Sequence, residues 1–162
     1  MFFPLLGAGD IQTTTQTLLA NVLADGKISA PANVSLQSSA ALFGTLSGNM
    51  TLSYWARTSN GGGGSITVEA TDFAPSGGPV ASTVSLTCSG ATLGTGCSGS
   101  QALSTSMQTS LVSLPGCACT GGGGACSDQE PNTVLLSFSV PSLPHYKTGG
   151  YSAQLTFTIS TM

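Results

Sequence analysis

Charge is what this chain has least of. Its 162 residues include three Lys+Arg and six Asp+Glu, 6 % of the total, where about 25 % is ordinary for a globular domain. The basic residues, Lys27, Arg57 and Lys147, are scattered. Neutralising a phosphate backbone takes several clustered Lys or Arg side chains, so nucleic acid is excluded as a partner. Long apolar runs are also missing. No uninterrupted stretch approaches the roughly 18 residues that suggest a membrane-spanning helix, so no membrane span is expected. With few charges, the polar surface must come from Ser, Thr, Gly, Asn and Gln. Copies of such a chain repel one another weakly, which permits self-association.

Histidine is nearly absent, and that removes most chemistry. His145, in "PSLPHYKTG", is the one candidate base for a Ser-His-Asp triad. No serine sits in a G-x-S-x-G elbow, and a lone loop histidine is more often structural or solvent-facing. Paired carboxylates at Glu69 and Asp72, or at Asp128 and Glu130, have nothing to bring them to two sides of one cleft. Neither "GGGG" run carries the lysine of a P-loop or leads into a helical pattern. The expectation is no enzyme, no cofactor and no resident metal.

Cysteine is present but confined. Cys88, Cys97, Cys117, Cys119 and Cys126 are spaced nine, twenty, two and seven apart, unlike the paired knuckles of a zinc site. Disulfides are the better reading, and they imply an oxidising compartment. Cys88–Cys97 and Cys119–Cys126 would each close a short Gly-rich loop, a gain of roughly 2–3 kcal/mol in chain entropy. Cys117 is then left over. It could replace Cys119, stay buried as a thiol, or bridge to another subunit.

The rest is rich in Thr, Ser and Val in short alternating runs. "NVSLQ", "GTLSGNMTLSYWA", "SITVEATDF", "STVSLTC", "TVLLSFSV" and "GGYSAQLTFTIS" each put apolar residues on one parity. Gly, Pro and Asn punctuate them. Period two with such punctuation predicts six to eight strands in one antiparallel sandwich or barrel. The predicted domain spans 26–162, with a Gly/Cys-rich loop at 115–131. "SNGGGGS" at 59–65 reads as a hairpin turn. Residues 1–25 form an extension. Within it, "QTLLANVLADGK" has helical spacing, but its Thr-rich approach and Asp25-Gly26 favour a strand closing into a tight turn. "MFFPLLGAGD" lacks the charged region of a signal peptide, and is read as an apolar tail of the mature chain. Asn33 and Asn49 head N-x-S/T sequons, significant only in a glycosylating host.

The two ends carry a resemblance. The apolar, Thr/Gln-rich "FFPLLGAGDIQTTTQTL" precedes the first clear strand. The closing "GGYSAQLTFTIS" is similar to the Gly-Tyr-x-x-x-Leu-x-Phe strand of secreted bacterial pilus and coat subunits. The chain resembles chaperone–usher-type pilins and spore-coat-U-like proteins at its ends, and in its middle by architecture alone. It departs from them in its five late cysteines and its Gly/Cys insert. The resemblance implies an Ig-like sandwich left incomplete and filled by a donor strand from the next copy. Phe3, Leu5, Ile11, Thr13, Thr15, Thr17 and Leu19 would be the donor positions. Tyr151, Ala153, Leu155, Phe157 and Ile159 would be the acceptor wall, facing another edge strand such as 46–56. Pairing of residues 11–23 within one chain is the alternative to exchange. The expected protein is therefore a secreted or cell-surface filament or coat subunit, partnered by copies of itself. The alternative is a monomeric carbohydrate-binding or adhesin module using Trp55 and Tyr146 on a glycan or host surface. Trp55 could instead pack under a loop.

Overall fold

The computed structural model describes residues 19–20, 23–38, 43–59, 61–116 and 131–162. They form an all-β antiparallel sandwich. The strands are β1 (Asp25–Ser29), β2 (Gln37–Ser38), β3 (Leu46–Arg57), β4 (Gly64–Ala70), β5 (Ser85–Ser89), β6 (Thr95–Gly96), β7 (Gln101–Ala102), β8 (Thr109–Leu114), β9 (Asn132–Val140) and β10 (Leu155–Thr161). One sheet runs β1-β3-β9-β5-β7, with β2 also on β3, and the other runs β10-β4-β8-β6. A single 3-10 turn, Ala81–Thr83, precedes β5.

The alternating runs became strands because one parity could be buried. Leu52 and Tyr54 of β3, Ile66 and Val68 of β4, Leu86 of β5, and Val134 and Leu136 of β9 are almost wholly enclosed between the sheets. Burying one such side chain contributes about 1.5–3 kcal/mol. The opposite parity faces out and is mostly Ser and Thr. On the six-stranded sheet, Ser47 aligns with Ser139, and Ser139 with Ser85. Asn49 likewise aligns with Ser137 and then Thr87.

Three local signals misled the sequence reading. Asp25-Gly26 is not a turn: both residues lie in β1, opposite Arg57 and Ala56. Gly26 packs closely there, since a Cβ on it would meet the Ile159 side chain at 3.0 Å. The "SNGGGGS" stretch is not a hairpin turn, because β3 and β4 belong to different sheets. It carries the chain across the sandwich, with Gly61 at φ 75°. Strand β8 escaped notice because its alternation is broken. Leu111 and Val112 are both buried, and the register against β4 shifts between Ile66 and Thr67, which marks a β-bulge.

The edge carrying β5 and β6 is closed covalently. Cys88 on β5 is bonded to Cys97 just after β6, so the disulfide joins the two sheets. The loop between these strands is held from inside as well. The Tyr54 hydroxyl donates to the Leu93 carbonyl and accepts from the Leu93 N–H at 3.3 Å. Thr92 Oγ1 accepts from the Thr133 N–H at 2.8 Å. The partners expected for Cys117, Cys119 and Cys126 lie outside the described residues.

Burial opposes ionisation of Tyr54 and raises its pKa above 10.0, with the Leu93 hydrogen bond acting the other way. The folded state therefore holds the phenolic proton more tightly than the unfolded chain. The associated stability is complete below pH 10 and is lost as pH rises through the folded pKa. Tyr54→Phe should cost about 1 kcal/mol at neutral pH from the lost hydrogen bonds. Urea midpoints measured between pH 7 and 11 should show the gap to wild type narrowing above pH 10.

Candidate functional site

The edge of the sandwich opposite the disulfide is open. On the six-stranded side, β1 pairs with residues 53–57 of β3 and β2 pairs with residues 46–47. Among the described residues no strand covers the stretch between them. Residues 30–36 run alongside instead, and Gly48 makes room: a Cβ there would meet the Ser35 carbonyl oxygen at 2.5 Å. On the four-stranded side, β10 pairs with β4 along one edge, and among the described residues no strand pairs with its other edge. Between these two borders lies an open groove of about 1230 Å³.

Its walls mix apolar side chains with polar ones such as Asn33, Thr71 and Gln154. Val34, Leu36 and Met50 contribute from one side, and Tyr151, Leu155 and Phe157 from the other. Asp72 and Lys147, the charged residues along it, are exposed. Phe43 also lines the groove, 56 % exposed and at φ 63°, a region that bulky residues seldom occupy. The volume exceeds the roughly 300–1,000 Å³ of ordinary small-molecule pockets. An extended peptide suits the shape.

The backbone of β10 makes that edge specific. The Thr71 N–H donates to the Gln154 carbonyl at 2.9 Å, and the Met162 N–H donates to the Gly63 carbonyl at 2.8 Å. In an antiparallel ladder the inward-pairing residues alternate, so the even residues of β10 serve β4. The odd residues Leu155, Phe157 and Ile159 turn their N–H and C=O groups toward the open side. Their side chains point to the core and are half-buried, while Ile66, Val68 and Ala70 across the ladder on β4 are 0 %, 1 % and 5 % exposed. The difference is what covers them: among the described residues no strand pairs with β10 on its outer side, and β1 approaches it only near Ile159.

Of the expected acceptor residues, Tyr151, Ala153, Leu155 and Phe157 line the groove and Ile159 lies beyond it against Gly26 of β1, and the ladder begins only at Leu155. Tyr151 and Ala153 precede it, on the same parity and half-buried, and both line the groove. The facing wall is only partly the expected one. Strand β3 contributes Leu46 and Met50 to it but is not a free edge along its length, because β9 lies on one side and β1 and β2 pair with its two ends on the other. The missed part of the wall is the segment 30–36. Alternation at Val34 and Leu36 was its one signal, and it read as a strand rather than as a groove border.

Of the expected donor residues, Phe3, Leu5, Ile11, Thr13, Thr15 and Thr17 lie outside the described residues. Leu19 is described and is 89 % exposed, as is Leu23 at 66 %. Trp55 and Tyr146 are not brought together. Trp55 is on the outer face of β3 with the Lys27 Nζ 5.0 Å from its ring centroid. Tyr146 lines the groove and meets His145 edge-on at 4.8 Å. Asp72 Oδ1 accepts from the Ala81 N–H at 2.9 Å, which gives that carboxylate a structural partner. Asp128 and Glu130 lie outside the described residues. Among the described residues no cluster of His, Cys, Asp or Glu is arranged to hold a metal ion, and no helix is long and apolar enough to cross a membrane.

No protein-family model, no curated protein and no solved structure matches this chain.

The free edge makes a direct prediction for hydrogen exchange on the chain at low concentration. Amides of Thr156, Thr158 and Ser160 should be protected, and those of Leu155 and Phe157 should exchange at least tenfold faster. Equal protection along the strand would mean that something already covers the edge.

Proposed function

We propose that this chain is a structural subunit of an extracellular pilus-like filament or surface coat, and that its copies join by strand exchange. A strand from one copy enters the groove of the next and pairs with the odd residues of β10. The observation that carries this reading is the coincidence of three things at one edge: backbone that no described strand pairs with, half-buried apolar side chains of β10, and an open groove that these side chains line. An added strand would satisfy the first, cover the second and fill the third, which is the physics of β-augmentation.

The extension suits the donor role. Ile11, Thr13, Thr15, Thr17 and Leu19 alternate, and Phe3 and Leu5 supply further apolar groups. Asp10 is the single charge before Asp25, so entry into the groove requires little desolvation of ions. The exposed Leu19 and Leu23 lead from that segment toward β1. A secreted location is favoured by the Cys88–Cys97 disulfide, a bond that persists in oxidising compartments. No catalytic role and no cofactor form part of this proposal. The glycan-binding alternative draws support from Tyr146 in the groove. It loses support at Trp55, where Lys27 already covers one ring face.

Deletion of residues 1–20 tests the proposal. The full chain should form filaments visible by negative-stain electron microscopy. The shortened chain should stay monomeric, and a synthetic peptide of residues 1–20 should bind it with 1:1 stoichiometry. Filaments that survive the deletion unchanged would end the proposal. A stable full-length monomer with saturable glycan binding would replace it with the binding-module reading.

A further inference from the structure

Two exposed apolar side chains stand at one end of the groove. Leu46 at the start of β3 pairs with Val140 at the end of β9. Phe43 lies three residues before Leu46, and Leu143 three residues after Val140. Both line the groove, and they are 56 % and 37 % exposed. Among the described residues, Phe43 alone of the non-glycines has a left-handed backbone, at φ 63°, although Gly44 stands next to it. A bulky ring gains nothing locally from that conformation. Strain of this kind collects where something binds.

The N-terminal extension leaves the sandwich at the other end. Asp25 aligns with Arg57, the last residue of β3. Arg57 Nε donates to the Leu23 carbonyl at 2.7 Å. Leu19, four residues earlier, is 89 % exposed.

Reach decides what Leu19 can touch. The twelve residues of β3 put its two ends about 37 Å apart. Phe43 belongs to the connection between β2 and β3. Ser38 pairs with Leu46, so that connection lies at the Leu46 end. The four residues from Leu23 back to Leu19 span at most about 14 Å, far short of it. Leu19 therefore does not meet Phe43 of its own chain.

From this arrangement we infer that Phe43, with Leu143 beside the same mouth, is the seat for Leu19 of the next copy. The inference rests on the strand-exchange reading and locates one contact within it. When a strand of a neighbouring copy enters the groove, the last residue inside is the one nearest its own body. Leu19 has that position: it closes the alternating run Ile11, Thr13, Thr15 and Thr17, and the chain then leads to β1. No charge lies between Ile11 and Ala24, or between Ala41 and Thr45 around Phe43, so the two segments meet without desolvating an ion. Two apolar groups that are kept apart within one chain cover each other between chains.

Four full-length chains test the contact: wild type, Leu19→Ala, Phe43→Gly and the double variant. Light scattering reads the critical concentration for filaments, and urea midpoints are measured below that concentration. Phe43→Gly removes the ring and the strain together, so its urea midpoint should equal or exceed that of wild type. Its critical concentration should nevertheless rise roughly fivefold, as for truncation of an interface anchor, and that of Leu19→Ala likewise. The double variant should rise no further than the larger single effect, because both substitutions delete one contact. A lowered urea midpoint for Phe43→Gly, which a purely structural role would give, overturns the inference. So does a critical concentration unchanged by either substitution, or a double variant in which the two effects multiply. In those cases wild-type filaments leave the strand-exchange reading standing. Absence of filaments from wild type at every concentration overturns both.

Discussion

An extended strand has two hydrogen-bonding edges, and among the described residues β10 has a strand partner on one of them. Everything distinctive about this sandwich follows from that asymmetry. The residues that commit side chains to the core, Leu155, Phe157 and Ile159, also turn their backbone groups to the open edge. A buried backbone group without a partner is costly, so the edge stays wet or is covered by another strand. Strand β1 cannot become that cover along its length. It belongs to the opposite sheet, and Gly26 brings it against Ile159 only at the far end of β10. Beyond Ser29 the chain leaves regular structure, and the groove opens where β1 stops.

The opposite edge is built in the contrary sense. A disulfide joins the sheets there, and Tyr54 reaches through the core to hold the connecting loop at Leu93. One edge is covalently and internally tied, and the other is left open between residues 30–36 and 151–157. The low charge of the chain acts at a different level. It leaves the groove cheap to desolvate, and it removes the lysines that ordinarily guard strand edges against association.

Much of the architecture was legible in the chain. Period-two runs at 46–57, 64–70, 132–140 and 155–161 became long strands, with the expected parity inside. Tyr54 went in and Trp55 went out, as adjacent strand residues must. The pairing of Cys88 with Cys97 was legible because a ten-residue Gly-rich loop offers few other closures. What escaped reading had local causes. A bulge at Leu111 and Val112 cancelled the alternation of β8. An Asp-Gly pair, ordinarily a turn, sits in β1, where Gly26 packs close to Ile159. The Gly-rich stretch after β3 resembles a hairpin but crosses between sheets, since both kinds of connection need the same conformational freedom. Of the groove, the β10 wall was legible from its alternation. The wall at 30–36 was not, because it is defined by what it lies beside.

By itself the sequence determined the class of fold, the inward face of each long strand, the poverty of charge and the first disulfide. These depend on residue type and on spacing within a few positions. Tertiary structure alone decided which strands share a sheet, and which edge closes and which stays open. Those outcomes rest on contacts between residues far apart in the chain, and short-range periodicity holds no record of them.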